Sequence, residues 1–385
     1  MEQQTIPEGY KQTDVGVLPE DWELLTLGEI SVSVGSGKTD TKSKGDYPLY
    51  GSTGLIGSCK DPEYKGEALL VARVGANAGR LNSVAGQYGV SDNTILIKLK
   101  PEVEIEFVKY CLVNRNLNSL VFGSGQPLIT GTQLKELLLP FPLKKEQTAI
   151  ANALSGVDGL ITSLEQLIAK KRDIKTGTMQ KLLTGKTRLP QFANHPDGTP
   201  KGMKSSELGE IPEDWEVTSF GDALKIRHGR DQKAVQVEDG AYPILATGGE
   251  IGRTNTPLYT KPSVLIGRKG SINQPRYMDT PFWTVDTQFY SEVDSKFDAK
   301  FLFYKACMIN WMEYNEASGV PSLNASTIEA VSISCPFSKE EQEAIKEVIT
   351  AFDSELEMLD RRLRKTRKIK QGMMQELLTG KTRLV

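Results

Sequence analysis

The chain is poor in the residues that build metal and redox sites. Its 385 residues include only two histidines, His195 and His228, and four cysteines that lie far apart in the sequence: Cys59, Cys111, Cys307 and Cys335. Zinc sites need closely spaced pairs of cysteine and histidine, so a Cys/His metal site is not expected. We expect free, mostly buried thiols and a protein of the reducing cytoplasm.

The sequence also lacks the long apolar segments of membrane and secreted proteins. No apolar run is long enough to cross a bilayer, and the first residues, MEQQTIPEGYKQTD, hold no signal-peptide core. A hydrophobic content of 38% and a charged content of 25% are typical of a globular chain, here with two or three domains. The net charge of −2 excludes a protein that coats nucleic acid by charge alone, but it permits cations gathered on one face.

Three Gly-Lys-Thr tripeptides resemble the end of an ATP-binding loop, but each lacks the glycine that such a loop needs five residues earlier. Those positions hold Val32, Gln180 and Gln375, whose side chains block the close approach of backbone to phosphate. We therefore expect no nucleotide and no other cofactor. The stretch MQKLLTGKTRL instead indicates a helix end, with a left-handed glycine cap followed by cations.

The chain contains an internal duplication. GVLPEDWELLTLGEI from Gly16 matches GEIPEDWEVTSFGDA from Gly209, and MQKLLTGKTRL from Met179 shares ten of eleven residues with MQELLTGKTRL from Met374. YPLYGSTGLIG and LLVARVGANAG in the first half match YPILATGGEIG and VLIGRKGSINQ in the second. The spacing between matching segments stays within two residues throughout, so both halves carry the same elements in the same order.

Within each half the pattern changes once. The sequence of residues 15–144 and 208–338 predicts strands between loops. It also predicts one helix in each half, near EFVKYCLVNRNL in the first and near the matching KFLFYKACMINWM in the second. Apolar residues then recur at alternating steps of three and four, which is the pattern of a coiled-coil seam. The predicted seam positions are Ile150, Ala153, Val157, Leu160, Leu164, Leu167, Lys171 and Ile174 in the first half, and Ile345, Val348, Phe352, Leu356, Leu359, Leu363, Thr366 and Ile369 in the second.

One long helix cannot bury its apolar stripe alone, so its repeat in the same chain is the natural partner. A linker rich in proline and glycine, PQFANHPDGTPKGMKSSELG, joins the halves. If a two-fold axis relates them, the helices run antiparallel. Two alternatives stay open: each helix packs on its own domain, or it dimerises with another chain.

Two related but divergent domains suit a bipartite ligand, and duplex DNA is one because equivalent sites recur every roughly 34–36 Å. The chain resembles the specificity subunit of type I restriction–modification systems. The motifs that carry this resemblance are KQTDVGVLPEDWE and KSSELGEIPEDWE, ARVG and GRKG, EQTAI and EQEAI, and MQxLLTGKTRL, in the family's order in both halves. Together the motifs span nearly the whole chain, and the series occurs once in each half.

The resemblance implies an α+β protein with two target-recognition domains of mixed sheets and helices, separated by an antiparallel two-helix coiled coil with internal pseudo-two-fold symmetry. We expect the first domain at residues 1–145, its helix at 146–186, a linker at 187–207, the second domain at 208–339 and its helix at 340–385. Each domain would read one half of an asymmetric double-stranded DNA target. The expected partners are two methyltransferase subunits on the helical regions and, through the complex, restriction/translocase subunits.

The subunits that the chain resembles have no catalytic activity, and this sequence agrees. It has no Asn-Pro-Pro-Tyr/Phe tetrapeptide and no glycine-rich S-adenosylmethionine loop. DPEYK offers Glu63 and Lys65 as parts of a nuclease site, but the second half has no counterpart, and a surface turn is the simpler interpretation. The rival functions are a scaffold that binds only proteins and a nucleotide- or metal-dependent nuclease complete in one chain.

Three pairs of matched loops carry the donors that contact DNA phosphates and base edges. The first pair, in SGKTDTKSKGD and IRHGRDQK, offers Lys38, Lys42 and Lys44, and Arg227, His228, Arg230, Gln232 and Lys233. The second pair offers Arg73, Asn77 and Arg80, and Arg268, Lys269, Asn273 and Arg276. The third pair, in FGSGQPLITG and ASGVPSLNAS, offers Ser124 and Gln126, and Ser318 and Asn324.

Each of these assignments has a structural alternative. The loop cations can be ordinary solvated side chains, and the glycines of the third pair can simply shape a turn. Arg73 and Arg268 can pair with Asp92 and Asp286. The basic run from Arg361 to Lys370 contacts spacer phosphates or the methyltransferase in one interpretation, and is a solvated helix face in the other.

Overall fold

A computed structural model describes residues 6–42, 44–121 and 128–384 and divides the chain into two compact units. Unit 1 comprises Met1–Gln166 together with Arg361–Val385, and unit 2 comprises Leu167–Asp360. Each unit therefore combines one globular domain with a segment of each long helix. The domain boundaries predicted above stay a prediction.

The first half of the chain forms short strands, two short helices and one long helix. The strands are β1 (Tyr10–Thr13), β2 (Gly16–Pro19), β3 (Glu23–Thr26), β4 (Ser31–Ser36), β5 (Tyr47–Gly51), β6 (Gly54–Cys59), β7 (Tyr64–Lys65), β8 (Ala68–Ala72), β9 (Leu81–Val84), β10 (Gln87–Val90), β11 (Thr94–Leu99) and β12 (Leu138–Phe141). The helices are α1 (Ile105–Asn114), α2 (Gly131–Lys135) and α3 (Lys144–Leu183), with 3₁₀ turns at Gly75–Asn77 and Leu117–Leu120.

The domain of unit 1 contains two four-stranded sheets and the two-stranded sheets β1-β2 and β12-β3. The first four-stranded sheet has the order β4-β11-β8-β9 and is antiparallel, and the second has the order β6-β5-β10-β7, in which β5 and β10 run parallel. Every residue of β8 is buried, which explains its continuous apolar sequence ALLVA. Leu69 and Val71 contribute to the core shared with α1, while Ala68 and Leu70 pack in the cluster around Tyr88.

The second half repeats the main strands and helices in the same order and differs from the first half in several short elements. The strands are β13 (Met203–Ser206), β14 (Gly209–Pro212), β15 (Trp215–Ser219), β16 (Leu224–Arg227), β17 (Gln236–Val237), β18 (Tyr242–Ala246), β19 (Gly249–Thr254), β20 (Ser263–Gly267), β21 (Arg276–Met278), β22 (Trp283–Thr284), β23 (Gln288–Val293) and β24 (Ser332–Pro336). The helices are α4 (Phe220–Ala223), α5 (Ala299–Cys307), α6 (Ala325–Glu329) and α7 (Lys339–Leu377), with 3₁₀ turns at Pro190–Phe192 and Trp311–Tyr314.

The four-stranded sheets of unit 2 have the orders β16-β23-β20-β21 and β17-β19-β18-β22, and β13-β14 and β15-β24 form two-stranded sheets. The residues of β20, SVLIG, are all buried, as in β8. Two predicted helices therefore lie where expected, as α1 and α5. Among the described residues, no helix is long and apolar enough to cross a membrane. The cysteines are free, and all except Cys307 are buried.

Segments of α3 and α7 lie antiparallel in each unit. In unit 1, Asp158 pairs with Lys370 at 2.7 Å and Glu165 pairs with Arg367 at 2.6 Å. The residue numbers rise along α3 as they fall along α7, so the two helices are antiparallel. In unit 2, Lys171 lies 2.8 Å from Glu355, and Lys175 pairs with Asp353. A tyrosine completes a polar triad in both units: Tyr110 donates to Asp158 at 2.8 Å, and Tyr304 donates to Asp353 at 2.6 Å.

The predicted seam is wrong by one residue at several positions. Leu160, Leu167, Ile174 and Ile369 are 41%, 39%, 42% and 48% exposed, whereas Ile168, one residue after Leu167, is only 4% exposed. Other predicted positions are buried as expected: Ile150, Leu164, Leu363 and Thr366. The buried apolar positions of this part of α3 are Leu154, Leu164 and Ile168, and the ion-paired Lys175 and Lys370 lie one residue after the predicted Ile174 and Ile369. Because Leu160 and Leu167 precede apolar neighbours, the sequence offers two phases of the same repeat, and only packing selects one.

The repeated octapeptide LLTGKTRL ends both long helices, as its composition predicted. Gly185 and Gly380 have φ values of +73° and +68°, the left-handed conformation of a helix cap. A Cβ on Gly185 would lie 2.3 Å from Pro212, and one on Gly380 would lie 2.4 Å from Pro19, so both positions also require close packing against the PEDW segment. The octapeptide thus joins each helix end to a domain.

An arginine three residues after each glycine extends this junction. Arg188 donates to Asp214 at 2.7 Å and to Glu341 at 2.6 Å, and its guanidinium lies 5.8 Å from the centre of the Trp215 ring. In unit 1, Arg383 makes the corresponding contacts with Asp21, Glu146 and Trp22. This Arg–carboxylate junction connects the end of one long helix, the start of the other and the PEDW segment, all within one unit.

Candidate nucleic-acid interface

A turn at Ser91–Thr94 gathers the predicted loops of unit 1. The amide of Ser91 donates to the Tyr50 carbonyl at 2.9 Å, and the amide of Arg73 donates to the Asn93 carbonyl at 3.0 Å. The amide of Gly37 donates to the Thr94 carbonyl at 2.9 Å. The loops after β4 and β8 therefore meet at one end of the sheet, and the isolated bridge between Val74 and Leu128 adds the segment before α2.

Unit 2 builds the same assembly around Val285–Gln288. The amide of Val285 donates to the Leu245 carbonyl at 3.0 Å, and the amide of Arg268 donates to the Thr287 carbonyl at 2.9 Å. A bridge between Lys269 and Ser322 joins the segment before α6. The described parts of the predicted loops, which are far apart in sequence, thus lie together within each unit.

Glycine allows the first loop to pass close to this turn. A Cβ on Gly37 would lie 2.2 Å from the Val90 carbonyl oxygen, and a Cβ on Gly229 would lie 2.1 Å from that of Val285. Both distances are impossible for a real side chain, so another residue would push the loop away. In unit 1 this glycine belongs to the Gly-Lys-Thr of VSVGSGKTDT, which therefore shapes a loop without an ATP-binding motif.

The candidate cations with the greatest freedom lie on these loops. They are exposed, and among the described residues none has an ion-pair partner; they are Lys38, Lys42, Lys44 and Arg80 in unit 1, and Arg230, Lys233 and Lys269 in unit 2. Such side chains can turn toward a phosphate without breaking an internal contact. Asn77 and Gln232, which are half-buried, lie on the same loops.

Other candidates already have partners in the folded chain. The list comprises Arg73 with Ser36 (3.4 Å), Arg227 with Glu292 (2.7 Å), Arg268 with Asp286 (3.7 Å), Arg276 with the Thr247 carbonyl (3.1 Å) and Asn273 with the Trp311 amide (2.8 Å). The structural alternative of a pair with aspartate thus holds for Arg268, while Arg73 contacts Ser36 instead. His228 packs edge-on against Phe289, with ring centres 5.0 Å apart.

The third pair of loops is described in the second half only. Ser124 and Gln126 lie outside the described residues. Ser318 is exposed, and Asn324 caps α6 by accepting a hydrogen bond from the Thr327 amide at 2.7 Å. Asn324 therefore has a structural role in its own helix.

The proposed surface turn around Glu63 has a local role. Its carboxylate accepts a hydrogen bond from Thr39 at 3.1 Å, beside the first loop. Across the described ranges, no three His, Cys, Asp or Glu side chains form a cluster that could hold a metal ion.

Sequence reasoning missed one element of this region, the hairpin tips at Gly51–Gly54 and Ala246–Gly249. Thr247 accepts a hydrogen bond from Arg276 through its carbonyl, and the Tyr50 carbonyl accepts one from Ser91, so each tip adjoins the gathered loops. The signal was an apolar residue beside the turn glycines in GSTGLIG and TGGEIG.

Comparison with known proteins now identifies the architecture. Residues 19–171 and 212–365 each match the type I restriction modification DNA specificity domain. The chain belongs to this family. The two matches together cover most of the chain, with one match in each half, as the duplication predicted.

Relatives match over nearly their whole length. The chain is 27% identical over 426 aligned residues to a putative type I restriction enzyme MjaX specificity subunit of Methanocaldococcus jannaschii, covering 98% of this chain and 97% of that one. It is 25% identical to the MjaVIII specificity subunit of the same organism, with coverage of 98% and 96%. The crystal structure of a type I restriction–modification S subunit from M. genitalium has the same fold, with a TM-score of 0.65, 19% identity and coverage of 92% and 96%.

Family membership confirms the resemblance that the motifs indicated. The chain is a DNA-specificity subunit of a type I restriction–modification system, with a recognition role and no catalytic one. Its α+β fold, with two recognition domains and long helices, is the fold of this family.

Proposed function

We propose that each unit reads one half of a bipartite, asymmetric DNA target with the loops gathered at one end of its sheet. The observation that carries this proposal is that the first and second loops meet at one turn in both units, Ser91–Thr94 or Val285–Gln288, although their loop sequences differ. A shared framework supports binding of the same ligand class in both units. Different loops support different half-site sequences.

The free cations and the partnered residues have different tasks in this proposal. Lysines such as Lys38 and Lys42 contact phosphates, which gives affinity that falls with salt and carries no sequence information. Donors closer to the sheet end, such as Arg73 and Arg276, reach base edges in the major groove. Their present contacts hold them in defined directions before DNA arrives.

A domain exchange tests the two-reader proposal. Residues 15–144 are replaced by the matching segment of a specificity subunit with another target, and the methylated sequence is determined across a host genome. We expect one half-site to change and the other to stay. The reciprocal exchange of residues 208–338 is the control and should change only the other half-site. A single exchange that alters both half-sites would contradict the proposal.

DNA affinity separates this function from the scaffold alternative. Binding of a duplex that contains the methylated sequence is measured with and without the methyltransferase subunit. We expect target-specific binding by the complex, and exchange of loop residues should alter it. A complex that binds target and scrambled duplexes equally would favour the scaffold.

The relatives are specificity subunits, and we propose that this chain also assembles with methyltransferase and restriction/translocase subunits. One surface feature supports two equivalent methyltransferase sites. Leu143 is 78% exposed and Phe337 is 79% exposed, and both lie between the last strand of a domain and the start of a long helix. A single exposed apolar side chain needs no explanation, but its recurrence at the same place in both repeats favours a partner that docks twice.

Native mass spectrometry of the assembled complex tests this stoichiometry. We expect two methyltransferase copies on the unmodified chain, one copy on Leu143→Ser or Phe337→Ser, and none on the double variant. Val113→Ser is the matched control, because Val113 is a half-exposed apolar residue in the last turn of α1. Two copies on the double variant would rule out docking through these residues.

A further inference from the structure

Each unit carries the same irregularity in its hairpin. In β5–β6 the pairing passes from Leu49–Gly57 to Tyr50–Leu55, which leaves Ile56 as the extra residue of a β-bulge. In β18–β19 it passes from Ile244–Gly252 to Leu245–Glu250, which leaves Ile251 in that position. Bulges re-aim side chains and often lie beside functional sites. The same bulge therefore presents the same residue type in both domains.

Both isoleucines face solvent. Ile56 is 45% exposed and Ile251 is 47% exposed, and their neighbour Leu55 is 65% exposed. A strand on a solvated sheet usually places its apolar residues on the buried face and polar residues outside. An isoleucine that the bulge turns outward is poorly explained by the core of either unit.

The hairpin tips border the loops that carry the free cations. In unit 1, the Ser91–Thr94 turn contacts the end of β5 through the Tyr50 carbonyl, the first loop through Gly37, and the second loop through Arg73. In unit 2, Arg276 holds the Thr247 carbonyl at the hairpin tip. A duplex bound by the cations therefore lies within reach of the hairpins. A protein partner for the same patch is less suitable, because several uncompensated lysines and arginines surround it.

The chemistry of the exposed residues selects one part of the DNA. The major groove admits a two-stranded β-ribbon, so a hairpin fits where the grooves expose base edges. Isoleucine has no hydrogen-bonding group in its side chain. The apolar feature that a base pair presents in this groove is the C5-methyl group of thymine.

We propose that the bulged hairpins β5–β6 and β18–β19 are base-reading elements, in which Ile56 and Ile251 each contact a thymine methyl group in their half-site. The residue before the isoleucine differs between the units. Leu55 enlarges the apolar surface in unit 1, whereas Glu250 pairs with Arg253 at 2.9 Å in unit 2. The hairpins thus share one contact and differ in the next, which suits two unlike half-sites. This inference rests on the proposed function of the two units.

Replacement of thymine by deoxyuridine tests the contact, because it removes only the methyl group. The target is obtained from the methylated genome sequence, and the affinity of the complex with its methyltransferase is measured for duplexes with one thymine replaced at a time. We expect one replacement in each half-site to weaken binding about fourfold, the effect of one buried methyl-sized group. Ile56→Ala should abolish this penalty in the half-site read by unit 1 and leave the other half-site unchanged.

Ile251→Ala is the matched control and should give the reverse pattern. Thermal unfolding of both variants should match the unmodified chain, since the replaced side chains are exposed. The inference is overturned if no replacement in a half-site weakens binding, or if the penalties persist in both alanine variants. Failure of the unmodified complex to prefer its target over scrambled DNA would instead overturn the proposed function itself.

Discussion

At the scale of single residues, the Arg–carboxylate junction explains why one octapeptide occurs twice. Arg188 is nearly buried and bridges Asp214 to Glu341, whose side chain is 3% exposed. Burial raises the pKa of Glu341, although Arg188 opposes this effect. The glutamate is therefore tolerated in the interior of unit 2 mainly because the arginine reaches it.

Replacement of this arginine should destabilise unit 2. Arg188→Met leaves the Glu341 carboxylate buried without its partner, and the loss of one member of a buried ion pair costs about 3–5 kcal/mol. We expect a lower melting temperature by calorimetry. Arg230→Met, at an exposed loop position, is the control and should change stability by less than about 0.5 kcal/mol. Equal melting temperatures for the two variants would show that the junction contributes little.

The junction also predicts a pH dependence. Burial acts to raise the pKa of Asp214, but hydrogen bonds from Arg188 and Lys201 outweigh it and lower the pKa to about 2. Because the folded pKa lies below the unfolded value of about 3.9, the stabilisation is complete above about pH 4 and is lost as the pH falls toward 2. Asp214 is about a third exposed, so screening reduces the expected contribution to about 1 kcal/mol.

Asp214→Asn should remove this pH-dependent part. The difference in the free energy of unfolding between the aspartate and asparagine chains, measured by urea titration at several pH values, should shrink as the pH falls from 5 to 2.5. A difference that grows over this interval would contradict the sign of the shift. Asp61→Asn, at an exposed turn, is the control.

At the scale of elements, the long helices show what a heptad pattern leaves open. Leu160 and Ile161, like Leu167 and Ile168, are adjacent apolar residues, so the sequence supports two phases of one seam. The structure buries Ile168 and exposes Leu167. Which of the two residues is buried depends on the face of the helix that packs against the other helix and the domain. The local sequence does not specify that face.

This pair gives a matched test of the seam. Ile168→Ala removes a buried side chain and should cost about 2–4 kcal/mol, whereas Leu167→Ala, one residue earlier, should cost less than about 1 kcal/mol. Urea denaturation of both variants measures the difference. If Leu167→Ala proved the more damaging change, the seam would pass through Leu167, as the heptad pattern predicts.

An insertion tests the role of the helices in target spacing. Four residues added to the middle of α3 lengthen it by about 6 Å, slightly more than one turn, and shift its pairing with α7. We expect the methylated target either to change its spacer length, with both half-site sequences kept, or to disappear. An unchanged target spacer would show that α3 does not set the spacing. The same insertion in the linker between the halves is a second variant that we expect to have the same effect.

At the scale of the whole molecule, the duplication was the most informative feature of the sequence. It predicted two domains with the same order of elements and two long helices, because matching segments recur at nearly constant spacing. The family match at residues 19–171 and 212–365 confirms the predicted duplication. The convergence of the loops follows from the sheet itself, because β4 and β8 both run antiparallel to the β11 strand between them and therefore end at the same edge.

The sequence predicted which residues lie on the loops of the candidate site, but it predicted less well what each of them does there. Charge and loop position singled out Lys38, Lys42 and Arg230, which prove exposed and without an ion-pair partner in the described structure. The same criteria singled out Asn273, whose side chain accepts a hydrogen bond from Trp311. A donor count cannot distinguish the two cases, because the partner comes from a distant segment.

The sequence by itself determined the repeated order of elements, the caps at Gly185 and Gly380 and the family, because these depend on local spacing and on the internal match between halves. Tertiary structure alone decided the phase of the helical seam, the partners of Arg188 and the outward turn of Ile56 and Ile251. Each of these depends on contacts between segments far apart in the chain, and on a bulge whose extra residue is defined only by the strand beside it.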